Sequence, residues 1–191
     1  IYFIGMGVHI VRLFLSMQNI LKMKRQGETS IVDDIKVFRT NSTEAFSFFN
    51  VIFLPKTDVP LLITEHEKAH IHQFHWVDLV ILEIASILLW FNPIMIVYKR
   101  SLKLQHEYLA DLSVIHKGIS LSEYLTCMAN QLVPTKALHL TSSFYFQSIK
   151  KRIVMLTIKR TSNRMSGLYI IIIPIIACLL FAFSSHTNHP S

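Results

Sequence analysis

Three apolar stretches divide the chain, at residues 1–21, 76–98 and 168–183. The first ends at Lys22, Lys24 and Arg25, the second carries Asp78, Glu83, Asn92 and Pro93, and the third (LYIIIIPIIACLLFAF) has no charge. A membrane-crossing helix needs about 20 apolar residues, with about 17 the lower limit. The third stretch reaches that length at 167–184, and Pro174 is tolerable in such a helix. The first has the length but contains His9 and Arg12, and an arginine at mid-bilayer costs about 3 kcal/mol. Arg12 must therefore pair inside a bundle, or the span must start upstream of Ile1.

Between Thr29 and Leu54 the pattern turns strand-like. Ile35, Val37 and Phe38 form a short β-prone run, Asn41-Ser42-Thr43 reads as a turn, and residues 46–54 read as one aromatic, β-branched strand. From Thr57 the signals are helical: Asp58 can cap, Pro60 suits a first turn, and no Gly or Pro follows until Pro93. Further helices are expected at 94–116, 120–133 and 144–160. The expected fold is α+β, mainly α, with a short β-sheet between flanking transmembrane helices.

Composition supports a membrane setting. Of 191 residues, 51% are hydrophobic and 16% charged, against about 25% charged in soluble domains. This excludes a disordered chain and argues against a free globule in water. Two cysteines, Cys127 and Cys178, cannot build a disulfide framework. The start at Ile1, inside an apolar run, suggests an excerpt of a larger membrane protein. The formal charge of +7 is concentrated at Lys22–Arg25 and at Lys150, Lys151, Arg152, Lys159, Arg160 and Arg164. Flanking two spans, these residues place 22–166 in the cytoplasm and 185–191 outside by the positive-inside rule. Their juxtamembrane position accounts for them without direct contact to nucleic acid.

Chemistry concentrates at His66-Glu67-Lys68-Ala69-His70. Histidines four apart share a helix face and can converge on one Zn²⁺, and the glutamate beside the first can polarise a water held by that metal. A catalytic zinc needs a third protein ligand from another element. Glu107 is the candidate, in His106-Glu107-Tyr108-Leu109-Ala110-Asp111, where Asp111 shares its face and can accept a hydrogen bond from a ligand histidine. His72, His75, His106 and His116 compete as ligands. Residues 70 and 107 bracket the apolar stretch 76–98. If that stretch crossed the bilayer once, His70 and Glu107 would lie on opposite sides, so it must fold back near Trp90–Pro93 as a re-entrant or buried hairpin.

His66–His75 (HEKAHIHQFH), Asp78, Trp90–Pro93 (WFNP), Leu102–Asp111 (LKLQHEYLAD) and Ser143–Leu156 (SFYFQSIKKRIVML) resemble the BlaR/MecR family of membrane metallopeptidases, Bacteroidetes type. The resemblance implies a gluzincin-like zinc endopeptidase on the cytoplasmic side of the bacterial inner membrane. It implies signalling by self-cleavage and loss of a BlaI/MecI-type repressor, with antibiotic resistance as the setting. His66, His70 and Glu107 would bind zinc and Glu67 would be general base and acid. His75 would orient Asp78 or a substrate carbonyl, and Asp78 would support the metal ligands. Partners would be a protein substrate, the lipid bilayer and, in a homodimer, a second copy of the chain. The family's further amino-terminal helices and the sensors' penicillin-binding domain have no counterpart in these residues.

Of the rest, the phenylalanines at 46, 48, 49 and 53 read as core, although the 46–54 strand could border the cleft and pair with an extended substrate. Cys127 reads as a buried apolar residue. Two other functions compete: a quality-control membrane protease of the HtpX/Ste24 kind, and a catalytically silent metal-binding scaffold.

Overall fold

The computed structural model describes residues 2–130 and 149–158. The chain divides between Thr157 and Ile158, and every described helix and strand belongs to the first unit. The expected span 167–184, the tail 185–191, Cys178 and the outer ends of the helices expected at 120–133 and 144–160 lie outside the described residues. The fold is mainly helical with one small mixed sheet.

Helix α1 (Tyr2–Gln26) is long and apolar enough to cross a membrane. Met6, His9, Leu13, Met17, Ile20 and Met23 are half-buried at three- and four-residue spacing, so one stripe faces the protein while Arg12 is exposed. The Trp90 ring occupies the space over Gly5 where a Cβ would collide with it, and the Tyr2 hydroxyl donates to the Leu88 carbonyl at 2.8 Å. At the other end, Lys24 lies over the Phe38 ring.

The sheet has the order β1-β2-β4-β3, from β1 (Glu28–Val32), β2 (Ile35–Thr40), β3 (Phe46–Phe48) and β4 (Val51–Pro55). Only the β2–β4 pair is parallel. The expected 46–54 strand is in fact a hairpin. Phe49 takes a left-handed conformation (φ 51°), and Phe48 pairs with Val51 around the turn. Strand β1 falls in the strand-like region from Thr29 but is not singled out there as a run of its own, because its residues are all exposed; the turn at Asp33-Asp34, both with positive φ, closes it onto β2. Ile35, Val37, Ile52 and Leu54 pack against Ile71 on one face. Phe38, Phe53 and Phe46 stack on the other. Phe53 is core as expected, whereas Phe49 is exposed.

The helix expected from Thr57 begins later and breaks once. Pro60 occupies the cap position of α2 (Leu61–His72), where no side chain bonds the free N–H groups, so Asp58 does not cap. Phe74 is left-handed (φ 54°), and the chain bends by 62° into α3 (His75–Leu88). After a turn, α4 (Ile94–His116) returns antiparallel to α3: Asp78 pairs with His106 and Glu83 with Lys99. The fold-back at Trp90–Pro93 is therefore present, and it brings the end of α2 beside the middle of α4. Helix α5 (Leu121–Asn130) and a helix at 149–157, here α6, complete a second core of Val114, Tyr124, Met128 and Ile149.

Candidate metal centre

Helical spacing puts His66 and His70 one turn apart on α2 with Nε2 atoms 3.1 Å from each other. From α4, the Glu107 carboxylate lies 3.4 Å from His66 Nε2 and 3.7 Å from His70 Nε2. Donor atoms of the three fall within 4.8 Å of one another, a group that could hold a metal ion. Ligands about 2.0–2.1 Å from a tetrahedral Zn²⁺ stand about 3.3 Å apart, so the spacing suits that ion, as do two imidazoles and a carboxylate. His72 and His116 are exposed and stand outside the cluster.

The far nitrogens of both rings are engaged. The Tyr124 hydroxyl donates to Asp111 Oδ1 at 2.7 Å and faces His66 Nδ1 at 2.9 Å; Asp111 Oδ1 is itself 3.2 Å from that nitrogen. Both neighbours accept, so Nδ1 carries the proton and Nε2 is left to face the metal. Asp111 thus contacts the ring of His66, one of the residues that could hold a metal. On the other side, His70 Nδ1 meets His75 Nδ1 at 2.7 Å, which again leaves Nε2 of the ligand free. His75 therefore contacts His70 and not Asp78. Asp78 meets no ligand: it accepts from His106 Nε2 at 2.9 Å, and His106 stacks on His75 at 4.0 Å.

Charge within the cluster is uneven. Burial alone would lower the His66 pKa, but hydrogen bonds to Asp111 and Glu107 outweigh it and push it up to about 9. Burial and the charge on His66 push His70 down to about 3. Burial and the neighbouring His106 lower His75 to about 4. Burial opposes ionisation of Glu107, yet His66 and Arg152 hold it down at about 2. One proton thus resides on His66 between two carboxylates, while His70 is neutral. Glu67 is buried and raised above the ordinary carboxylate range by that burial, with Ser47 of β3 as a hydrogen-bond partner.

Two participants escape the sequence reading. Arg152 on α6 donates to Asp111 through Nε at 2.9 Å and Nη2 at 2.5 Å, and reaches Glu107 through Nη1 at 2.9 Å. Its charge serves as the counter-ion of both carboxylates. The one signal for it is its place inside the SIKKRIVML run. Tyr124, buried on α5, has no motif around it. Cys127 is half-buried on the same helix, not core. The chain matches no protein-family model, and no curated protein matches it.

Proposed function

We propose that the chain is a membrane-bound zinc endopeptidase of the BlaR/MecR kind, acting at the cytoplasmic face of a bacterial inner membrane. The carrying observation is the convergence of His66, His70 and Glu107 from two helices, with Glu67 next to the first ligand. Zn²⁺ bound there would supply a Lewis acid that polarises the scissile carbonyl and acidifies the attacking water. Glu67 takes the proton from that water as its oxygen bonds the carbonyl carbon, and returns it to the amine as the C–N bond breaks. Burial, which raises the Glu67 pKa, suits a carboxylate that must hold the proton between the two steps. Strand β3 lies at the sheet edge and packs against α2, a position suited to pairing with an extended peptide. Self-cleavage and loss of a repressor are supported only by the sequence resemblance.

Glu67→Gln tests the assignment. The variant should retain stoichiometric zinc and lose at least about 10²-fold of peptide cleavage, the range for removing a general base. Unchanged cleavage by the zinc-loaded variant, reconstituted in lipid, rejects the enzyme reading. Absence of zinc from the wild type, by elemental analysis, returns the cluster to a scaffold of ion pairs.

A further inference from the structure

Charges on three elements stand at one level above the α3–α4 turn. Gly5 of α1 touches Trp90 in that turn, which fixes a common origin. Arg12 lies seven residues along α1 from Gly5, Arg100 six along α4 from its start at Ile94, and Glu83 six before Leu89 on α3. At 1.5 Å per residue each is about 10 Å from the turn. Glu83 pairs with Lys99 at this level.

Below that level the exposed side chains are apolar on every element: Ile4 and Val8 on α1, Ile84 and Leu88 on α3, Ile94 and Val97 on α4 are each more than half exposed. Above it α1 exposes Ser16, Gln18, Asn19 and Lys22, interspersed with exposed Phe14, Leu15 and Leu21, and α3 exposes Ile81. Several polar groups below the level are bonded internally, as hydrocarbon favours. The Tyr2 hydroxyl takes the Leu88 carbonyl, and the Ser86 hydroxyl takes that of Leu82. Asn92 Oδ1 accepts from the Ile94 N–H, and the amides of Leu89, Asn92, Met95 and Ile96 are bonded across the turn. The Trp90 indole N–H is buried with no partner among the described residues, and neither His9 nor the exposed Tyr98 hydroxyl bonds a described residue.

We infer that the bilayer surface meets this protein at Arg12, Glu83 and Lys99–Arg100, so that the hairpin tip and the first half of α1 sit in lipid. The tip then reaches about 10–15 Å down, near the midplane of a hydrocarbon core about 30 Å thick. This refines the membrane reading on which it rests, since α1 leaves lipid at Arg12 and not at Lys22. Basic side chains at the boundary suit anionic headgroups. The same boundary constrains the substrate. Glu107 stands seven residues beyond Arg100, so the metal centre lies about 10 Å outside the surface. An extended chain leaving the membrane covers that in about three residues. The substrate class is then a peptide bond just outside the bilayer, in the juxtamembrane segment of a membrane-anchored chain.

Single cysteines in a Cys127→Ser, Cys178→Ser background, in nanodiscs of phosphatidylethanolamine and phosphatidylglycerol, test the boundary with a charged maleimide. Val8→Cys and Val97→Cys should react about tenfold or more slowly than Gln18→Cys and Lys103→Cys, because a thiolate is disfavoured in hydrocarbon. Protection of Gln18→Cys equal to that of Val8→Cys moves the boundary to Lys22 and overturns the inference. Rapid labelling at all four sites removes lipid from the hairpin altogether. Zinc content and cleavage, read on the same samples, report on the peptidase reading independently and confirm that each variant is folded.

Discussion

Arg152 ties the two carboxylates of the site to α6, and its removal leaves buried Asp111 and half-buried Glu107 with His66 as their remaining cationic neighbour. Asp111 has no exposed side-chain surface and Arg152 is 12% exposed. Breaking a buried pair from one side costs about 3–5 kcal/mol. Arg152→Met is therefore expected to lower the melting temperature of the metal-free protein by far more than Lys150→Met or Lys151→Met on the same helix; equal shifts for all three would reject the assigned role. Titration supplies a second expectation. His66 is raised to about 9 in the fold against about 6.5 unfolded. Its contribution is thus complete below 6.5 and disappears as pH rises through 9. His70 and His75, both depressed, are neutral when folded across that window, and largely neutral when unfolded only above about pH 7.5. Melting temperatures of chelated protein should fall between about pH 7.5 and 9. The zinc-loaded protein, in which the metal replaces that proton, should not show this fall.

At the scale of elements, the two metal motifs are legible in the sequence because their chemistry is written in helical spacing: four residues place His66 over His70, and four place Glu107 over Asp111. The fold-back is legible because ligands on both sides of an apolar stretch demand it. The break at Phe74 is not. Gly or Pro marks most such points, whereas here a phenylalanine takes a left-handed conformation that costs about 1–2 kcal/mol. The bend at Phe74 sets His75 Nδ1 2.7 Å from His70 Nδ1, a contact a continuous helix would not make at a five-residue separation. Phe74→Gly should relieve the backbone cost and keep zinc, while His75→Ala should weaken zinc binding by about 10–100-fold through loss of the hydrogen bond that orients His70. Competition with a chromogenic chelator measures both. Loss of affinity in Phe74→Gly but not in His75→Ala would mean that the bend matters and the imidazole does not. The 46–54 hairpin is hidden for a related reason: a phenylalanine, Phe49, takes the left-handed position of the turn, and Asn50 beside it is a lone turn residue inside an aromatic, β-branched run.

For the whole molecule, the group that could hold a metal joins two helices that also share packing. Helix α2 packs on the sheet through Ile71 and reaches the helical core through Leu62, and α4 contributes Val114 to that core. Glu107 adds a polar contact from α4 to His66 and His70 of α2. An ion bound there would cross-link the two, so its binding free energy becomes folding stability. Free zinc at about 1,000 times its dissociation constant should add about 4 kcal/mol, seen as a rise in melting temperature that chelator reverses. Glu67→Gln should keep that rise, because Glu67 is not a ligand. Glu107→Gln should lose most of it, and His70→Ala all of it, since among the described residues the group that could hold the ion is His66, His70 and Glu107. A zinc-dependent rise that survives His70→Ala would put the ion elsewhere and detach both the cross-link and the chemistry from these three residues.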